Sequence, residues 1–381
     1  STANGEVDVF GNSILASGTS IPTLVEFSSS GGPRQKEEAA VMLARLATSA
    51  ANQDAIAEAR GIPPLVALAS SGNGGHKYAA ARALANLAGS VDNKAAINVA
   101  GGVPPLVALV KSGTTGQQQW AACALRRLAT EPSSKAAISA AGGIPPLVEL
   151  ASLSPDAQTE WAAAFDTDSA SDNRGAVEEA AGALWKLAVN SAVNQRDIAS
   201  AGAIPPLIAL ATLGTDGQKE VAAAALASLS DLAANRIDIA AANGIAPLID
   251  LTATGTAGQK EWGAAALWML ATDNEANATA IAAGAGIPPL VAIVAWGTDR
   301  QKQAAAAALG ALAALDDNKV AIAAGGGIPP LIALLGSGSD GQKLLAAEAL
   351  ANLAMGNAAN TTAIGATKGA VKTQRGTTLV G

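Results

Sequence analysis

One phrase, Gly-Ile-Pro-Pro-Leu-Val with close variants, recurs along this chain, and no other feature limits the fold as much. It is anchored at Ile21, Ile62, Val103, Ile144, Ile204, Ile245, Ile287 and Ile328, at intervals of 41, 41, 41, 60, 41, 42 and 41 residues. A period of about 40 residues is the mark of stacked supersecondary units. One such unit cannot bury its own apolar face, whereas a stack of them forms a continuous core. The 381 residues are therefore expected to form one elongated solenoid rather than two or three globular domains.

Each period reads as three helices. The first is short and opens near Asn52, Asn93, Asn194, Asn235, Asn277, Asn318 and Asn360, with Ser134 in the same place once. Asn and Ser are favoured N-caps, so this ladder is expected to cap helices. A glycine such as Gly61, Gly102, Gly143, Gly244, Gly286 or Gly327 is expected to end that helix in the left-handed conformation. The Pro-Pro pair suits the first turn of the second helix, where a missing N–H loses no bond. The third helix opens with Gln-Lys, as at Gln218-Lys219 and Gln342-Lys343, and continues as Ala-Ala-x-Ala-Leu-x-x-Leu-Ala. Leucines three apart, such as Leu267 and Leu270, mark the buried face of a helix and not of a strand.

These motifs resemble armadillo repeats. The resemblance runs from about residue 11 to 370 and implies an all-α, right-handed α-α superhelix, an armadillo-repeat solenoid of about eight three-helix repeats of ~41 residues. It further implies third helices that line a concave groove, and use as an adaptor, scaffold or transport receptor. Import receptors of the family grip basic peptides with a Trp and, four residues on, an Asn on successive third helices. The Trp position here holds Val41, Arg82, Cys123, Gly182, Ala224, Ala265, Ala307 and Glu348; the Asn position holds Arg45, Asn86, Arg127, Lys186, Ser228, Met269, Ala311 and Asn352. No repeat has the pair, and Arg45, Arg82, Arg127 and Lys186 would repel a basic peptide.

The N-terminal half of the expected groove carries Arg45, Arg82, Trp120, Arg127 and Lys186. Arg and Trp are frequent binding hot spots, and a cationic, Trp-bearing groove suits an acidic or phosphorylated segment of a partner protein. The alternative is that these arginines pair with Glu37, Glu38 or Glu131 on solvated helix faces. The C-terminal half carries Val221, Ala224, Trp262, Ala265, Met269, Ala304, Ala307 and Ala311, an apolar lining suited to a partner's amphipathic helix. The function expected is a non-catalytic protein-binding scaffold, acting as a monomer or as a subunit of a hetero-complex. An architectural subunit of a large assembly and a transport receptor for a non-basic cargo are the alternatives.

The 19 extra residues of the fourth period fall at about 154–174, an acidic insertion loop with Asp156, Glu160, Asp166, Asp168 and Asp172. Its Asp-x-Asp spacing resembles a calcium loop but lacks the central glycine and closing glutamate. No cofactor and no metal site are expected. His76 stands at a third-helix start expected to be exposed, and Cys123 has no histidine near it in sequence. A net charge of −7 without basic runs excludes nucleic acid as the expected partner. No stretch reaches the roughly 20 apolar residues a membrane helix needs. Residues 1–10 lack the repeat, a degraded ninth start is expected at Gly369-Ala370, and 371–381 read as a tail. The expected compartment is cytoplasm or nucleus. The chain starts at Ser1, which keeps an organelle open as the destination if a targeting peptide is removed.

Overall fold

The computed structural model describes residues 18–153 and 172–377; the core of the acidic insertion, 154–171, the calcium-like run and the two ends lie outside them. Among the described residues there are 24 helices and no strand. Contacts divide the chain into two units, Ser1–Leu187 and Ala188–Gly381.

In the first unit the helices are α1 (Ile21–Ser30), α2 (Pro33–Leu46), α3 (Ala50–Glu58), α4 (Ile62–Ser71), α5 (Gly74–Leu87), α6 (Val91–Val99), α7 (Val103–Ser112), α8 (Thr115–Leu128), α9 (Pro132–Ala140), α10 (Ile144–Ala151) and α11 (Asp172–Ala188). In the second they are α12 (Ala192–Ser200), α13 (Ile204–Leu213), α14 (Asp216–Leu229), α15 (Ala233–Ala241), α16 (Ile245–Thr254), α17 (Ala257–Ala271), α18 (Glu275–Ala283), α19 (Ile287–Trp296), α20 (Asp299–Leu312), α21 (Asp316–Ala324), α22 (Ile328–Ser337), α23 (Asp340–Ala354) and α24 (Ala358–Thr377). The short, medium, long order holds in the complete repeats except the fourth, whose second helix, α10, has 8 residues against 9 in α9, and the prolines occupy the first turn of the second helix.

Third helices stack on third helices: α2 on α5 and α5 on α8 in the first unit, α14 on α17, α17 on α20 and α20 on α23 in the second. Alanines make this close approach possible; Ala79, Ala80, Ala81, Ala83 and Ala85 of α5 are all buried. Leu24, Leu43, Leu65, Leu84, Leu106 and Leu125 have no exposed surface, and each such leucine contributes about 1.5–3 kcal/mol by its burial.

Two ladders of side chains stitch the repeats together. In the first, Gln117 donates Nε2 to Gly74 O at 2.8 Å and accepts the Thr114 N–H at 3.0 Å. Gln301 and Gln342 likewise join α20 to Ala257 O at 2.7 Å and α23 to Asp299 O at 2.8 Å. His76 holds this place on α5: its Nδ1 accepts the Asn73 N–H at 3.2 Å, and its Nε2 lies 2.6 Å from Pro33 O. Since a carbonyl only accepts, the ring proton sits on Nε2. His76 is buried, not at an exposed helix end as expected.

The second ladder corrects the reading of the asparagines. They are not N-caps: each lies inside the first turn, two residues beyond the first helical residue, as Asn235 does in α15. Asn235 Nδ2 donates to Leu229 O at 2.9 Å and to Gln195 O at 3.4 Å. Asn277, Asn318 and Asn360 repeat the double contact. The last carbonyls of a third helix have no intrahelical donor, and the amide supplies one while also tying down the preceding repeat. Ser134 is too short to do so, and its Oγ is buried without a partner.

The glycine reading is also corrected. The left-handed residue is the one before it: Arg60, Gly101, Gly142, Asn243, Ala285 or Gly326, and Gly202 plays the same part before Ala203. Gly102 itself is right-handed, at φ −71° and ψ −20°. It is glycine because a Cβ there would lie 2.7 Å from Ile97 Cγ2 and 3.0 Å from Ile97 O. At the far end the expected break at Gly369-Ala370 is absent. With no Pro-Pro pair to interrupt it, α24 runs unbroken for 20 residues and takes in most of the expected tail, packing on α22 and α23.

Candidate functional site

In the first unit the expected cationic residues stand on successive third helices. Arg45 is exposed on the last turn of α2, while Arg82, Trp120, Arg127 and Lys186 are half-buried. Arg82 and Trp120 are brought together because α5 packs on α8, and Arg82 Cζ lies 5.3 Å from the Trp120 ring centroid. A cation on an aromatic face is worth about 0.5–2 kcal/mol, depending on desolvation. The Nε of Arg82 is buried and has no hydrogen-bond partner, so the stack orients the guanidinium without saturating its donors. Glu38 pairs with Arg34 at 3.3 Å and Glu131 with Lys94 at 3.5 Å.

Arg127 has a second duty. Its Nη1 donates to Ala85 O at 2.7 Å, just as Asn86 donates to Ala44 O at 2.9 Å. Both fill the unsatisfied last carbonyls of the preceding third helix, so Arg127 ties α8 to α5.

Around Lys186 the structure adds residues that sequence reasoning missed. Lys186 Nζ lies 3.4 Å from the Trp185 ring centroid. Arg126 Nη1 reaches Glu179 Oε2 at 3.3 Å, tying α8 to α11. Burial, reinforced by the charges of Arg126 and Lys135, holds the Lys186 ammonium below the usual lysine range; burial does the same to Lys135. Cys123 sits against this cluster. Its burial, aided by the Glu179 carboxylate and opposed by Arg127 and Arg126, pushes the thiol up to about 11, the reverse of an activated nucleophile. Arg126, Trp185 and Trp268 share one position of their helices, directly before the Asn position. That common offset, with large side chains in three repeats, was the signal available in the sequence.

In the second unit Trp262 and Met269 are half-buried, but Val221 is only 6% exposed and belongs to the core. Ala224, Ala304 and Ala307 are buried too, which corrects the smooth apolar lining. Small side chains let the third helices close over these rows. Between α17, α20 and α23 lies a cavity of about 230 Å³ lined by Trp268, Ala307, Gly310, Ala311, Leu345 and Glu348. Asn352 spends its Nδ2 on Gly310 O at 3.0 Å.

The profile of the Armadillo/beta-catenin-like repeat matches residues 49–89, 90–130 and 316–355. No curated protein matches the sequence. Among solved structures, an engineered protein is 29% identical over 93% of both chains, with a TM-score of 0.65. Computationally designed armadillo repeat proteins for modular peptide recognition are 21% identical over 66% of this chain and 99% of their own, with a TM-score of 0.57. A structure concerned with a phosphorylation switch between cadherin and beta-catenin is 18% identical over 88% of this chain and 64% of its own, with a TM-score of 0.68. At such identities the last two speak for the fold alone.

Proposed function

The chain belongs to the armadillo-repeat family, and on that premise we propose that it is a non-catalytic protein-binding scaffold whose first unit holds an acidic, extended segment of a partner. The observation that carries this reading is the Arg82–Trp120 stack, which leaves a buried guanidinium donor without a partner. Nε itself is enclosed, so a ligand carboxylate would meet the outer Nη donors of this oriented guanidinium, with charge-assisted bonds. Arg45 and Lys186 extend the cationic face on either side along the third helices. The peptide recognition named for the designed relatives is in keeping with an extended ligand.

A second contact is supported in the other unit by the cavity at Trp268. It suits an apolar side chain from a partner helix, with the alanine and glycine lining allowing close approach.

The test is a fluorescence-anisotropy titration with a labelled Glu/Asp-rich peptide, against its Gln/Asn twin. Binding of the acidic peptide alone, weakened at least about tenfold by Arg45→Glu with Arg82→Glu and falling with added salt, supports the scaffold reading. Equal binding of the twins, or indifference to the double variant, sinks it. Fixed-ratio co-purification with partners that ignores the double variant would instead favour an architectural subunit.

A further inference from the structure

We propose that the cations gathered where α8 meets α11 form a subsite for a phosphate monoester dianion carried on the bound segment; this rests on the acidic-segment reading above and gives it a chemical class. The subsite is built around a glycine. At position 182 every other repeat carries a side chain: Val41, Arg82, Cys123, Ala224, Ala265, Ala307 or Glu348. A Cβ on Gly182 would lie 2.7 Å from Arg126 Nε and 3.0 Å from its Cζ. The missing side chain therefore lets the Arg126 side chain pack against α11 at Gly182, where Glu179 steadies it through Nη1.

One turn beyond Gly182 stands Lys186, its ammonium stacked on Trp185, and Lys135 of α9 lies within its electrostatic reach. Arg126, Lys186 and Lys135 bring positive charge to this place, with the Glu179 carboxylate beside Arg126. Arg127, also close by, adds to that charge while its Nη1 is spent on Ala85 O. A carboxylate brings a single negative charge to this cluster; a phosphate monoester near neutral pH brings close to two, on three acceptor oxygens. A planar guanidinium fits two of those oxygens and a lysine answers the remaining charge. Relief of repulsion between Lys186, Arg126 and Lys135 then favours the dianion over the monoanion. Gly182 is a positioning residue here: it touches no ligand and acts by seating Arg126.

Two labelled acidic peptides test this, one with a single phosphoserine and its twin with Glu at that place, titrated against the full chain from about pH 5 to 8 to span the second phosphate ionisation. Wild type is expected to prefer the phosphoserine peptide about tenfold at pH 8, within what one close charge pair contributes at an interface. The preference should fade towards pH 5. Gly182→Ala, which keeps every charge but displaces Arg126, and Lys186→Met should each bring the ratio close to one, while Arg45→Glu with Arg82→Glu weakens both peptides alike. Equal binding of the twins to wild type overturns the phosphate subsite and leaves the acidic-segment reading standing. A preference that survives in both Gly182→Ala and Lys186→Met overturns the location. If neither peptide binds, both readings fall.

Discussion

Replacing Ser134 by Asn should stabilise the first unit, and the structure sets the size of the effect. Ser134 is 1% exposed and its Oγ has no partner. Asn235, at the equivalent place in the second unit, donates to a carbonyl six residues back at 2.9 Å and to one 40 residues back at 3.4 Å. The corresponding acceptors for residue 134 are Leu128 O and Lys94 O. Two added bonds are worth about 0.5–1.5 kcal/mol each, and removing a stranded hydroxyl relieves about 1–3 kcal/mol. Against this stand the entropy of fixing a longer side chain, about 0.5–1 kcal/mol, and the cost of fitting it into a packed site. The net gain expected is about 1–2 kcal/mol. Urea unfolding of wild type, Ser134→Ala and Ser134→Asn separates the contributions, because alanine removes the stranded hydroxyl without adding bonds. The midpoints should rise in the order Ser, Ala, Asn, with slower amide exchange at the α8–α9 junction in the Asn variant. An Asn midpoint at or below that of Ala would refute the claim that this ladder ties neighbouring repeats together.

Three further outcomes follow from the same geometry. His76→Gln should keep both ladder bonds, since Gln117 makes the same pair, whereas His76→Ala should cost about 1–3 kcal/mol; thermal melts of the two variants decide. Lys186→Met should raise the melting temperature at neutral pH while weakening binding of an acidic peptide. The Lys186 pKa is depressed in the fold, so the unfolded chain binds more protons, the charged form costs stability, and that cost disappears as pH rises past the unfolded value of 10.5. The advantage of Met should shrink accordingly in alkali. Cys123, buried and with its thiol held at about 11, should react with a disulfide reagent at pH 8 only as fast as the protein opens, and at the free-thiol rate in denaturant.

The period, the order of the helices and the prolines in the second helix were legible because they depend on local spacing and backbone chemistry. The asparagine ladder was legible as a pattern but not as a role. A cap and a residue inside the first turn look alike in sequence, and the partners that distinguish them lie about 40 residues earlier, as Gln195 does for Asn235. The same holds for Gly102, whose reason is the nearby Ile97 rather than its own φ. In the candidate site, Arg82 and Trp120 were legible as residues of neighbouring third helices, but the stack of guanidinium on indole emerged only from the packing of those helices. Arg126 and Trp185 were missed because the rows were drawn one residue away, a rotation of about 100° on a helix. Val221 and the alanine rows were read as lining because their apolarity is the same whether they face a groove or the next helix; only packing, with Val221 6% exposed, tells the two apart.

Photo-crosslinking decides whether the third helices of the first unit are the surface that receives the acidic segment. A Glu/Asp-rich peptide carrying a photoreactive residue at its centre would be bound to the full chain, irradiated and the adducts mapped by mass spectrometry. Adducts confined to α2, α5, α8 and α11, abolished by Arg45→Glu with Arg82→Glu, are the predicted result. Adducts spread over the first helices of the repeats, or concentrated in the second unit and unchanged by the double variant, would contradict it.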